Sequence, residues 1–170
     1  MHELYNFYVE VNKNAENDEN VATEARTLFA QLEAGNLQLK EQWSQIRSAT
    51  VDSLEKVYSR LDIHFDHYHG EAMYGDQKTK DSVLNQLTEA GLITLLEDRR
   101  QVIDLDSGHK KRVVITKSDG SSLYITRDIS AGLDRLKSFS PDKIIYVVEN
   151  AQAHHFENLF EIISKVDPAS

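Results

Sequence analysis

A chain of 170 residues with 40% apolar content is long enough for one hydrophobic core, or for a small domain with a packed extension. Two prolines and seven glycines argue against disorder and against a repeat architecture, and the absence of cysteine removes any disulfide frame, thiolate nucleophile or zinc–sulfur site. The longest apolar run, Ile144-Ile145-Tyr146-Val147-Val148, is strand-sized and far short of a membrane span, and Met1-His2-Glu3-Leu4-Tyr5 is not a secretory leader. A net charge of −9 works against nucleic-acid binding, which is driven by Lys and Arg neutralising phosphates. The basic clusters are short, Arg99-Arg100 and Lys110-Lys111-Arg112, and residues 10–24 hold five acidic side chains against the single Lys13. These residues should bind RNA weakly.

In chain order, Val21, Ala25, Leu28, Phe29 and Leu32 recur at helical spacing over 20–34, with Asn20 as N-cap and Gly35 as stop. A second helix carries Leu39, Trp43 and Ile46; a break near Ser48-Ala49-Thr50 separates it from a third with Leu54, Val57, Tyr58 and Leu61. The three read as an antiparallel packing unit. Residues 63–69 alternate as a strand would, and 79–90 form a helix on Val83, Leu84 and Leu87, closed by Gly91. The period then becomes two: Leu92–Leu96 and Val102–Leu105 form a hairpin around Glu97-Asp98-Arg99-Arg100. Val113–Ile115 and Leu123–Ile125 form another through the Asp119-Gly120 turn. Asp128–Phe139 is a helix with Ile129, Leu133 and Leu136 inward, followed by a buried strand at 144–148 and a last helix on Phe156, Leu159, Phe160 and Ile163.

Helix, apolar strand, polar loop and helix make half of a parallel α/β unit, in which ligands sit beyond the carboxyl ends of the strands. That places Glu149-Asn150-Ala151-Gln152 at a binding edge. Residues 110–170 hold too few strands to enclose an apolar one, so the sheet reads as incomplete, and the chain should dimerise through its open edge or melt at low temperature.

Ser118-Asp119-Gly120-Ser121-Ser122-Leu123-Tyr124-Ile125-Thr126-Arg127-Asp128 resembles the Ser-Asp-Gly…Tyr-x-Thr-x-Asp segment of arginyl-tRNA synthetases. Ile145-Tyr146-Val147-Val148, then Gln152 and His155-Phe156, is similar to that family's next strand and helix start. Tyr8-Val9-Glu10-Val11-Asn12-Lys13 and Phe65-Asp66-His67-Tyr68-His69-Gly70-Glu71 match upstream in order. Four ordered matches are more specific than any one alone. The resemblance implies a class I aminoacyl-tRNA synthetase: an α/β fold, a partial Rossmann-type catalytic domain contributing second-half βα elements, with a helical and β-hairpin insertion. Residues 1–109 are then the end of the first catalytic half plus that insertion, and 110–170 the start of the second half. It further implies part of an arginine–tRNA ligase that activates L-arginine with ATP and charges tRNA(Arg), with ATP and Mg2+ used by the complete enzyme and none bound by this piece alone. Neither the His-x-Gly-His signature nor a Lys-Met-Ser-Lys-type loop occurs in the 170 residues, so they should be inactive alone, and Ala72 stands where the family usually has Ser. The parent would be cytoplasmic, or alternatively of the mitochondrial matrix.

Arginine selection requires an acceptor for the guanidinium, best a carboxylate offering paired charge-assisted hydrogen bonds. By resemblance that acceptor is Asp128, with Tyr124 and Gln152 completing an L-arginine pocket; no catalytic residue is assigned. Read without the family, Asp128 is a helix-start carboxylate, Tyr124 a half-buried strand aromatic and Gln152 a first-turn residue. His64, His67, His69, His154 and His155 invite a metal site, but on a strand at most two of the first three share a face, so no metal is expected. A Ser118–Asp119–His155 triad lacks a Gly-x-Ser-x-Gly elbow and is set aside. A non-catalytic synthetase-like interaction module is the alternative function.

Overall fold

The structure, a computed structural model, describes residues 2–106 and 111–168, in two compact units, Met1–His69 and Gly70–Ser170. Lys110 and the 109/110 boundary lie outside the described residues.

The first unit is three helices: α1 (His2–Asn17), α2 (Glu19–Glu33) and α3 (Leu37–Arg60). The helix α1 carries no stop signal strong enough to be read from sequence; only the extended backbone of Asp18, φ −136°, separates it from α2. Asp18, not Asn20, is the N-cap of α2: its carboxylate accepts from the Asn20 backbone N–H at 2.9 Å. The α2 stop falls where expected. Gly35 has φ +95°, and Gly35 N–H to Leu32 O and Asn36 N–H to Gln31 O complete a Schellman closure that a Cβ would strain. The break expected at 48–50 is absent. Helix α3 runs through it because Ala49 favours helix and the Thr50 hydroxyl is satisfied by the Ile46 carbonyl at 2.8 Å.

Residues 63–69 are not a strand. The chain turns at Asp62 (φ 55°), and the Phe65 ring stands edge-on between Tyr58 (5.0 Å) and Tyr68 (6.1 Å), while Arg47 donates to the Tyr68 carbonyl at 2.6 Å. The rings that pack, Phe65 and Tyr68, are three residues apart, a spacing no strand face would share. None of the described residues in 2–69 is buried, and Tyr5, Phe7 and Tyr8 are each 65% exposed.

The second unit holds the core. After a 3-10 turn (Glu71–Tyr74) come α4 (Gln77–Glu89), then β1 (Ile93–Leu95), β2 (Gln101–Asp104) and β3 (Arg112–Thr116), then α5 (Tyr124–Phe139), a 3-10 turn (Asn150–Gln152) and α6 (Ala153–Val166). The sheet is antiparallel in the order β1-β2-β3, with Ile93 opposite Ile103 and Val102 opposite Val114. Val83 and Leu87 of α4, Ile103 and Ile115 of the sheet, Ile125 and Ile129 of α5, and Leu159, Ile162 and Ile163 of α6 form one buried cluster.

The Asp119-Gly120 turn forms, with Gly120 at φ +80°, but it does not lead into a second strand. Only an isolated bridge, Thr116 to Ser122, follows, and Tyr124-Ile125 is already the first turn of α5. The stripe Ile125, Ile129, Leu133, Leu136 keeps helical period from that first turn. The buried Thr126 hydroxyl pins the turn to the Ile115 carbonyl of β3 at 2.6 Å. Residues 144–148 are likewise not a strand among the described residues: Ile145 is 70% and Val147 94% exposed, Ile144 and Tyr146 are partly buried, and the Tyr146 ring packs against Phe156 (5.0 Å) and Phe160 (5.4 Å) of α6. An apolar strand needs ladder partners on its edges, and β1-β2-β3 is completed without it. Helix, extended segment and helix do follow in the expected order.

Helix α4 is capped by Asp76, whose carboxylate accepts from the Thr79 hydroxyl at 2.7 Å and the Thr79 N–H at 3.0 Å. These bonds hold the Asp76 carboxyl below its ordinary range. A depressed folded value means that the cap stabilises fully above the unfolded carboxylate's titration near about pH 4 and fades as pH falls through the lower folded value. Asp76→Ala should cost about 1 kcal/mol at neutral pH, and urea melts should show the gap from wild type closing on acidification.

Candidate functional site

Helix α5 has two working faces. Tyr124 and Asp128 are one turn apart on one of them. Ser130, Asp134 and Lys137 are on the other, where with Tyr74 and Val83 they line an open groove of about 700 Å³ that contains none of the residues expected to bind arginine. Tyr74 donates to Asp134 there at 2.9 Å. Tyr124 therefore reaches the site from a helix, not from a hairpin strand, and Asp128 does not begin that helix but lies one turn into it.

Helix α6 is laid against α5 at Gly132, where an added Cβ would collide with the δ-methyl of Ile163, the end of a side chain that would have to shift. The close approach brings the start of α6 to Asp128. His155 Nε2 lies 2.6 Å from Asp128 Oδ2, with the two side chains 34% and 37% exposed. The carboxylate is thus half-buried and paired rather than simply solvated. Gln152 closes the 3-10 turn that feeds α6, one turn before His155, and is exposed.

Arg127 adds a feature that sequence reasoning did not single out. Its guanidinium stands 6.0 Å over the Tyr124 ring and pairs with Glu71 at 2.9 Å, tying the Gly70-Glu71 motif to α5. Ala72, in the same 3-10 turn, is exposed. His155 matches a family position beside Phe156 without an assigned role there, and its 27-residue separation from Asp128 leaves no local periodicity to pair the two.

His67 and His69 do lie ring to ring at 5.9 Å. Among the described residues no group of three or more His, Asp or Glu side chains is placed to hold a metal ion, and no helix is long and apolar enough to cross a membrane.

The arrangement on α5 and α6 offers a half-exposed carboxylate, an exposed aromatic ring one turn away and an exposed amide three residues before His155 in the chain. That set suits a planar cation with several N–H donors. The sequence model described as tRNA synthetases class I (R), catalytic domain, matches residues 1–169. The chain is 38% identical over 162 residues to a probable mitochondrial arginine--tRNA ligase of Bos taurus, covering 94% of this chain and 28% of that protein. It is 36% identical over 166 residues to an arginine--tRNA ligase of Enterococcus faecalis, covering 98% of this chain and 29% of the relative. Among solved structures, the arginyl-tRNA synthetase of Plasmodium falciparum matches with a TM-score of 0.75 and 26% identity, over 88% of this chain and 26% of that one. The chain therefore spans a little over a quarter of the relatives it matches, and it belongs to the class I tRNA synthetases of the arginine type, within their catalytic domain.

Proposed function

We propose that this chain is the arginine-recognition segment of an arginine–tRNA ligase, with Asp128 accepting the substrate guanidinium and Tyr124 and Gln152 bounding its pocket. The pairing of Asp128 with the start of α6 supports the reading: it gathers residues from two segments of the chain around one half-exposed carboxylate. In the complete enzyme the arginine carboxylate would attack the α-phosphorus of ATP, a step that depends on positioning and charge stabilisation. ATP with Mg2+ and tRNA(Arg) are substrates of that enzyme, and these 170 residues contain neither family signature for handling ATP. The same reading has residues 1–109 as the end of a first catalytic half with its insertion and 110–170 as the start of a second, Rossmann-type half. Self-association through an open sheet edge, and a cytoplasmic parent with the mitochondrial matrix as alternative, belong to it too.

The test has two arms. In arginine-dependent ATP–pyrophosphate exchange, the 170-residue chain should stay at the level of a heat-killed control; exchange above it would overturn the division of labour. In an NMR titration, L-arginine should shift the amides of 124–131 and 152–156, while citrulline, which keeps the shape and loses the charge, should not. A folded chain that ignores both ligands would favour the synthetase-like interaction module instead.

A further inference from the structure

Asp128 alone is an insufficient acceptor. A carboxylate on a two-torsion side chain at a helix surface samples several orientations, and each rotamer frozen on binding costs affinity. In this structure one oxygen is already fixed, Oδ2 at 2.6 Å from His155 Nε2. An ionised carboxylate can only accept, so the imidazole must carry its proton on Nε2 and donate. Hydrogen bonds to an ionised carboxylate are short and strong, as this contact is. His155 is itself held: it lies in the first turn of α6, its ring stands edge-on to Phe156 at 5.3 Å, and Phe156 packs on Tyr146, which Arg135 of α5 contacts at 3.2 Å.

We propose that His155 is a positioning residue for arginine recognition: by donating Nε2–H to Oδ2 of Asp128, it fixes the carboxylate plane so that the remaining acceptor sites face the substrate. This rests on the reading of Asp128 as the guanidinium acceptor. The bond uses one of about four lone-pair sites on the carboxylate, leaving Oδ1 and half of Oδ2 open, enough for a two-point contact with a guanidinium. The device also ties the two recognition segments together, because the helix that begins just after Gln152 is the one that orients Asp128.

The experiment is an L-arginine titration of the 170-residue chain, followed by amide shifts, for wild type, His155→Ala, His155→Gln and Asp128→Asn. His155→Ala should weaken arginine about five- to tenfold, the worth of one hydrogen bond's preorganisation. His155→Gln, whose Nε2 can reproduce the donor, should return to within about twofold of wild type, a rescue that a packing role for the ring would not give. If His155→Ala binds arginine as wild type does while Asp128→Asn does not, the positioning role is overturned and the acceptor role of Asp128 stands. If Asp128→Asn binds arginine unchanged, the acceptor reading falls and the proposal falls with it. The imidazole 15N spectrum of the free chain decides the contact without arginine: His155 should be protonated on Nε2, and a ring protonated only on Nδ1 overturns the proposal even if no form binds arginine.

Discussion

Leu159→Ala should lower the stability of the Gly70–Ser170 unit by about 2–5 kcal/mol, the range for truncating a buried leucine in a core that cannot fully collapse. Leu159 is 1% exposed and sits with Ile162 and Ile163 on the α6 face that meets α5 and the sheet. Deleting its side-chain atoms removes their transfer free energy and leaves a cavity among stiff β-branched neighbours, Ile103, Ile115, Ile129 and Ile162, which have few alternative rotamers with which to fill it. The contrasting substitution is Leu37→Ala. Leu37 is 83% exposed at the start of α3, and its loss should change stability by no more than about 0.5 kcal/mol. Urea denaturation of both variants measures the difference. Equal costs would mean that α6 does not carry the core described here. Because the fold divides into two units, the Leu159→Ala loss should fall on the transition reported by Gly70–Ser170, so tyrosine probes in that unit and tryptophan fluorescence from Trp43 need not move together.

The elements that were legible in the sequence are those whose local signal and tertiary role coincide. Helix α4 shows a stripe and a closing glycine, and Val83 and Leu87 are buried where the stripe places them, while its cap, Asp76, lies before the start read from the stripe. The β1-β2 hairpin likewise forms around Asp98 and Arg99, the latter at φ 69°. Where the two diverge, the sequence misleads in identifiable ways. A Ser-Ala-Thr triplet looks like punctuation, but a hydroxyl that bonds its own helix's carbonyl does not break it. Residues 63–69 alternate in composition, yet the rings that pack there, Phe65 and Tyr68, are three apart and sit on no common strand face. Leu123-Tyr124-Ile125 has strand composition, yet the Thr126–Ile115 bond turns it into helix, a contact across 11 residues that no local pattern encodes.

The candidate site was legible as a list and not as a shape. Tyr124, Asp128 and Gln152 came from resemblance; composition and spacing alone favoured blander roles for each. What the list omitted is the geometry: Tyr124 and Asp128 share one helical face, and the partner of Asp128 is His155 on α6, which packs on α5 at Gly132. A glycine inside a helix reads from sequence as a cost, roughly 1 kcal/mol against alanine, and only the neighbouring helix explains it.

In a full-length arginine–tRNA ligase carrying this segment, Asp128→Asn should raise the KM for arginine by roughly ten- to a hundredfold, since a hydrogen bond to a charged group is worth about 1.5–3 kcal/mol. The change keeps the shape and removes the charge. It also meets a constraint set by His155: with its proton on Nε2, the ring needs an acceptor, so the new amide would turn its oxygen toward His155 and its NH2 toward the substrate. Two donors would then face each other where a donor and an acceptor stood, leaving a guanidinium N–H unsatisfied in a partly desolvated pocket. The loss should therefore lie toward the upper end of that range. The KM for ATP should hardly move, because Asp128 is assigned to the amino-acid side chain alone. Discrimination against citrulline should collapse together with arginine affinity, because the charge that separated the two ligands is gone. Arginine-dependent pyrophosphate exchange at varied arginine and at varied ATP measures both constants. Equal losses for the two substrates would remove Asp128 from arginine recognition and return it to the role of a helix-surface carboxylate.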